Sequence, residues 1–222
     1  MNKRFKMLIS SYLFPNRCAC CGEIIAYDND EYICPDCAES LEPHICRRTI
    51  EGGIQSTAYA EYDSALRGAI LSLKFRRYKP AAVLLAKKMY FLFNYLYPDG
   101  LENAVFVPVP ISKRRRRKRG CNQSEVIASE LSKLTGIPVV TNAAVKIKDN
   151  IAQSLTPDAA SRRKNVKDVY RYGDTSGIRG KHVIVIDDVI TTGSTLSEIC
   201  RVLLPFCESI ECMTAASAEL KN

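Results

Sequence analysis

Two carboxylates followed closely by a hydroxyl-rich turn make up Val185-Ile186-Asp187-Asp188-Val189-Ile190-Thr191-Thr192-Gly193-Ser194-Thr195. Adjacent acids at a strand's end can accept hydrogen bonds from the vicinal hydroxyls of a sugar and offer oxygen ligands to Mg²⁺. In open α/β sheets ligands gather beyond the C-terminal ends of strands, and Val183-Ile184-Val185-Ile186 is predicted to be a strand that ends in this acid pair. Thr191 to Thr195 then leads into a helix whose first N–H groups, with the hydroxyls, form a cradle for a phosphate dianion. Gly193 lets the backbone approach closely. Acid pairs end many strands and Ser/Thr-Gly turns cap many helices, so each piece alone says little. Their contiguity is what a ribose 5-phosphate ligand demands.

A second constellation lies near the N-terminus. Cys18/Cys21 and Cys34/Cys37 are two Cys-x-x-Cys pairs separated by twelve residues. Each pair can set two thiolates on one tight knuckle, and two knuckles close a sulfur tetrahedron suited to Zn²⁺. Such a site is full, hence structural. Tyr27 to Tyr32 reads as a turn-containing hairpin between the pairs. Cys20 could replace Cys18 or Cys21 in another register, and Cys46 or His44 could substitute as a ligand; the plainer reading makes Cys20 and Cys46 spare thiols. Cys121, Cys200, Cys207 and Cys212 are scattered, three of them in apolar C-terminal segments where cysteine is usually a small core residue. Ten cysteines, five of them between positions 18 and 37 of a 222-residue chain, indicate metal in a reducing compartment rather than a secreted disulfide scaffold. The expected location is cytoplasmic.

The third feature is the run Lys113-Arg114-Arg115-Arg116-Arg117-Lys118-Arg119, seven consecutive cations. Unpaired they repel one another, so an anion belongs nearby. Three readings stay open: a solvated loop, an extension of a pyrophosphate-binding loop, and a salt-sensitive contact to single-stranded DNA through Arg114 to Arg119.

The elements that must position these residues can be read in outline. Ile54 to Tyr62 has strand composition, and Leu66, Ile70 and Leu73 recur at helical spacing before the basic stretch Lys74 to Lys79. Pro80 restarts a helix; Ala81 to Tyr97 is apolar, but Lys87, Lys88 and Asn94 interrupt it short of the ~20 residues of a membrane span. From residue 104 strands and helices alternate: strand Ala104 to Pro110, a basic loop, a helix bearing Val126, Ile127, Leu131 and Leu134, a strand around Val139 to Val145, and a polar stretch from Lys148 to Asn165 of the kind that forms lids. Strand His182 to Ile186, helix Thr195 to Leu204 and strand Ile210 to Thr214 complete the series. Short all-apolar strands between amphipathic helices predict an α/β fold with a parallel sheet covered on both faces. Residues 54–222 would form it, and residues 1–48 an N-terminal helix with a zinc ribbon. The first fourteen residues, basic then apolar, lack a small-x-small cleavage site and read as a short amphipathic helix. With 46% hydrophobic and 25% charged residues the chain is composed to fold, and a net charge of +8 favours anionic partners without choosing among them.

The stretch Val185 to Thr195 resembles the phosphoribosyl pyrophosphate signature of type I phosphoribosyltransferases. The likeness extends to the ComF family of competence-associated phosphoribosyltransferase-like proteins: cysteine pairs after Phe14-Pro15, Leu73-Lys74 before a basic stretch, Val107-Pro108-Val109-Pro110, Arg119-Gly120-Cys121-Asn122-Gln123-Ser124, Gln153-Ser154-Leu155, and Arg162 to Asn165 with Val166 and Tyr170 following. Cys121 stands where the family usually has an aromatic residue. The resemblance implies that Asp187 and Asp188 bind ribose hydroxyls, that Thr191, Thr192, Gly193, Ser194 and Thr195 bind the 5-phosphate, and that Mg²⁺ enters with phosphoribosyl pyrophosphate. It further implies that Lys148 to Asn165 is a catalytic loop whose Arg162 or Arg163 would neutralise departing pyrophosphate, if transfer occurs. Single-stranded DNA and a competence helicase are the implied macromolecular partners, with no integral membrane association. A metabolic phosphoribosyltransferase and a non-catalytic ligand sensor are the alternatives.

Overall fold

The computed structural model describes residues 15–148 and 168–218. The expected N-terminal helix, the Gln153-Ser154-Leu155 motif and Arg162 and Arg163 lie outside the described residues.

Seven strands are present among them: β1 (Cys46–Ile50), β2 (Ile54–Glu61), β3 (Ala104–Pro108), β4 (Ala144–Lys146), β5 (Tyr170–Tyr172), β6 (His182–Ile190) and β7 (Ser209–Ser217). Five form one sheet in the order β1-β2-β7-β6-β3, and β4 and β5 pair separately. β2, β7, β6 and β3 run parallel, and β1 closes one edge antiparallel to β2. β1 begins at Cys46, so the main sheet starts within the segment read as the zinc-ribbon region.

Because side chains alternate across a strand, the sheet feeds two cores. Phe106, Ile184, Ile186 and Met213 pack toward α2 (Ser64–Arg76), α3 (Lys79–Leu96) and α5 (Gln123–Thr135). Val105, Val107, Val183 and Val185 pack on the other face with Leu196, Ile199 and Leu203 of α6 (Ser194–Leu203) and with Ala144 and Tyr170. This is the expected α/β architecture, a mostly parallel sheet covered on both faces.

Helix boundaries follow local chemistry, beginning with Pro35 in the first turn of α1 (Pro35–Glu39). Asp63 caps α2 by accepting from the Leu66 N–H at 2.9 Å, and Arg77 ends it with φ 53°. Pro80 sits in the first turn of α3, where its missing N–H costs nothing. Gly136, φ 76°, terminates α5.

Four local expectations change. The acid pair does not end β6: the strand continues through Asp187 and Asp188, with Val189 opposite Ala216 and Ile190 opposite Ser217. The seven-cation run is a helix, α4 (Lys113–Arg119), not a loop; the Ser112 hydroxyl accepts from the Arg115 N–H at 3.2 Å and Gly120 closes it at φ 80°. Tyr27 to Tyr32 forms turns rather than paired strands, pinned by the Asn29 side chain, which donates to the Ile33 carbonyl and accepts from the Glu31 N–H. The segment 139–145 likewise gives only a bridge at Val139 and the short β4.

Candidate functional site

β6 brings Asp187 and Asp188 to the floor of a cavity of about 870 Å³, and the chain from Thr191 to Thr195 turns along its wall into α6. Asp187 Oδ1 accepts from the Ser124 hydroxyl at 2.7 Å and from the Asp188 N–H at 2.9 Å. Burial, and next the neighbouring Asp188 charge, push the Asp187 carboxyl up to about 7. Asp188 is nearly buried and its Oδ2 lies 2.8 Å from Lys74 Nζ, a cation supplied by the last turn of α2. Burial opposes the Lys74 charge, but the Asp188 carboxylate outweighs it and raises the ammonium above its usual range. Tyr170, lining the same cavity, is also raised, by burial first and then by Asp187.

The geometry of the Thr191–Thr195 turn depends on Gly193. It adopts φ 76°, and a Cβ there would come within 2.6 Å of Ile50 Cγ2. Its carbonyl accepts from the Ser197 N–H at 2.8 Å, so it caps α6. Thr192 and Ser194 share a hydroxyl contact of 2.9 Å across the turn, and the Arg48 guanidinium of β1 donates to the Thr191 carbonyl at 3.1 Å. The arrangement places hydroxyls and a helix N-terminus beside two acids, a combination suited to a phosphorylated polyol.

The basic helix divides by face. Arg114, Arg115, Lys118 and Arg119 line the cavity, at the i, i+1, i+4, i+5 spacing of one side of a helix, and Arg116 and Arg117 do not. Arg116 instead forms a two-pronged pair with Glu125 of α5 at 3.1 and 3.2 Å. Arg119 donates to Gln123 at 3.0 Å, and the Arg77 guanidinium caps the Lys118 carbonyl at 3.2 Å. Thus Asp187, Asp188, Thr191 to Thr195 and four of the six predicted basic residues converge on one cavity. Sequence reasoning noted Lys74 and Ser124 only as members of motifs and gave them no place in the site; each was nonetheless visible within a quoted motif. It gave Arg48 no role.

Cys18, Cys21, Cys34 and Cys37 form the second site, with their Sγ atoms all within 4.8 Å of one another. Burial works against a thiolate at Cys18, yet backbone N–H groups of Cys21, Cys34 and Cys20 bring it down to about 6. Cys20 lies outside this group, and burial and the Cys18 charge hold it up at about 12. His44 and Cys46 cluster separately, with Glu61. The four convergent sulfurs fit a tetrahedral structural Zn²⁺, and Cys20, His44 and Cys46 lie outside their group.

Competence protein ComFC of Bacillus subtilis (strain 168) is 30% identical over 186 residues, covering 78% of this chain and 72% of that protein. The chain belongs to the ComF family. The ComF chain also matches the Phosphoribosyl transferase domain family over residues 117–219, which contain the acid pair and the Thr191–Thr195 turn, and the Double zinc ribbon domain family over residues 9–52, which contain the four cysteines. The DNA utilization protein YhgH of Escherichia coli (strain K12) is 28% identical over 201 residues, 84% of this ComF chain and 83% of its own. Among solved structures, an adenine phosphoribosyltransferase is similar with 14% identity and a TM-score of 0.41, over 83% of this chain and 90% of that one. No helix among the described residues is long and apolar enough to cross a membrane.

Proposed function

We propose that this ComF protein binds a ribose 5-phosphate compound, with phosphoribosyl pyrophosphate as the first choice, and uses that site in the uptake or processing of single-stranded DNA. The observation that carries the reading is the meeting, in one cavity, of the Asp187–Asp188 pair, the Thr191–Thr195 turn and the inner face of α4. Asp187 and Asp188 take the sugar hydroxyls, the turn takes the 5-phosphate, and Arg114, Arg115, Lys118 and Arg119 face the diphosphate on the ring's other side. Asp187 and Asp188 also offer the hard oxygens that would hold Mg²⁺ arriving with the ligand, and the ion supplies charge neutralisation at the diphosphate. Lys74 pairs with Asp188 and orients it, and Ser124 fixes Asp187. The names of the relatives, a competence protein and a DNA utilization protein, support the DNA context.

A metabolic transferase is the second reading, and the division of α4 favours it at one point. Four of the seven cations face the cavity, so much of the run serves a diphosphate and is not surplus to small-molecule chemistry. Calorimetric titration with phosphoribosyl pyrophosphate and Mg²⁺ tests the site: Asp187→Asn/Asp188→Asn should abolish the heat seen with wild type, and equal binding by both proteins would remove the proposal. Anisotropy of a labelled single-stranded oligonucleotide over a salt series tests the DNA half. Wild-type affinity should fall steeply with salt, and absence of binding at low salt leaves the metabolic reading.

A further inference from the structure

The Thr191–Thr195 turn is open on two sides. One side faces the main cavity. The other faces a recess of about 190 Å³ lined by Arg48, Thr49 and Glu51 at the end of β1 and by Ser197 in the first turns of α6. Ile190, Thr191, Thr192 and Ser194 line both spaces, so the turn itself is the partition.

Two observations make the recess a site for an anion. Arg48 is half-buried and held beside the turn by its hydrogen bond to the Thr191 carbonyl, which uses one of the five donors of a guanidinium. Ser197 is 9% exposed and its Oγ has no hydrogen-bond partner among the described residues. Three other buried side-chain atoms share that condition among the described residues, in Ser56, Asn122 and Ser217, and none of these residues lines either space. A buried orphan hydroxyl calls for a ligand or water to satisfy it, and this one lies near the N-terminal pole of a helix, where negative charge is favoured.

We propose that the recess is a second phosphate subsite, and that the ligand spanning the turn is the 3′-terminal nucleotide of a nucleic-acid strand. Its free sugar hydroxyl or hydroxyls meet Asp187 and Asp188, its 5′-linked phosphate lies on the turn, and the next phosphate up the strand sits between Arg48 and Ser197. The inference rests on the ribose phosphate placement proposed above and names the substrate class for the same site. A phosphoribose that ends at its phosphate has nothing to place in the recess. A nucleotide inside a strand has its 3′-oxygen esterified and cannot offer it as a donor to the acids. Only a 3′ end combines a free hydroxyl with a 5′-phosphate that continues. A nucleoside diphosphate carries a second phosphate too, but one sharing an oxygen with the first stays on the same side of the turn; the next phosphate of a strand is a whole sugar away. Glu51, exposed at the recess, opposes an anion, so Glu51→Gln should tighten binding.

Calorimetry on the full chain, in low salt, with ribose 5-phosphate, AMP, ADP and the 5′-phosphorylated dinucleotide pApA, which carries a second phosphate one nucleotide up the strand and whose 3′ sugar keeps both hydroxyls, decides the matter. pApA should bind wild type about tenfold or more tightly than AMP, the increment of a charge-assisted hydrogen bond, and Arg48→Ala should erase that gain, with a smaller effect on ribose 5-phosphate, which meets only the turn that Arg48 braces. Ser197→Ala should lower pApA affinity about tenfold and leave the unliganded melting temperature unchanged or higher, since it deletes an unsatisfied buried hydroxyl; a purely structural role predicts the reverse. pApA binding no better than AMP, a pApA-over-AMP gain that survives Arg48→Ala, or an equal gain from ADP would each overturn the second subsite while leaving the ribose phosphate reading intact. Failure of ribose 5-phosphate itself to bind wild type would sink that reading instead.

Discussion

Lys74 and Asp188 show how much a single ion pair can commit a fold. Both are largely withdrawn from water, 2.8 Å apart, and the pair sits where ligand hydroxyls are proposed to arrive. Removing one partner strands the other's charge, which costs about 3–5 kcal/mol in buried pairs, whereas removing both is often near neutral. Lys74→Met should therefore lower the melting temperature sharply and Lys74→Met/Asp188→Asn should recover most of the loss, read by thermal denaturation at pH 7. A second residue makes the pH dependence testable away from the cavity. Glu211, raised from 4.5 to about 7 by burial, faces His182 Nε2 at 3.1 Å, while His182 bonds Ser209 through Nδ1 and is itself held low by burial. An acid raised in the fold binds its proton more tightly folded than unfolded. Its contribution to stability is present below about 4.5 and lost as pH rises through about 7. Glu211→Gln should hence gain on wild type across that window, by no more than about 3 kcal/mol, with the gap constant above it; a gap that stays flat from pH 4 to 8 contradicts the sign.

At the scale of elements, α4 is the instructive case. Seven cations in a row offer no apolar periodicity, so the pattern by which helices are recognised is silent there, although Ser112 and Gly120 flank the run as N-cap and C-cap residues should. Like charges at i, i+4 destabilise an isolated helix; here Glu125, Gln123 and the Ser112 cap offset part of that repulsion. Ser112→Ala should cost about 1 kcal/mol and speed amide hydrogen exchange across residues 113–119 specifically; unchanged exchange would mean the neighbouring contacts alone hold the helix. The acid pair and the hydroxyl turn were legible because one strand and one turn carry them contiguously. Lys74, Ser124 and Arg48 come from α2, α5 and β1, and only the sheet order brings these elements to one end of β6, a fact no local window contains. The extension of β6 past the acids was hidden for a similar reason. Carboxylates disfavour a strand interior by composition, and pairing with β7 overrides that preference.

For the molecule as a whole, the question is whether the cysteine knuckles are an appendage or part of the core. Cys18, Ala19, Cys20, Ile33, Cys34 and Leu41 are buried in the same cluster as Leu66, Ile70, Leu85 and Phe106. The approach is close at the backbone: a Cβ on Gly68 of α2 would lie 2.2 Å from the Cys20 carbonyl oxygen. Tyr78, at the start of α3, donates its hydroxyl to the Arg17 carbonyl and accepts from the Arg17 N–H, and Lys87 bridges to Glu31 at 2.6 Å. A structural metal contributes folding energy outright, and here its knuckles are packed against α2, which also lines the candidate cavity. Stripping the metal with a strong chelator, or Cys34→Ser, should therefore lower the single calorimetric transition of the entire protein and weaken ligand binding with it. Gly68→Ala should reproduce a milder form of the defect with all four cysteines intact, because it forces the same two surfaces apart. If the main transition and the ligand affinity survive metal removal and only a small early transition disappears, the ribbon is a separate unit and its burial among the helices contributes little to their stability.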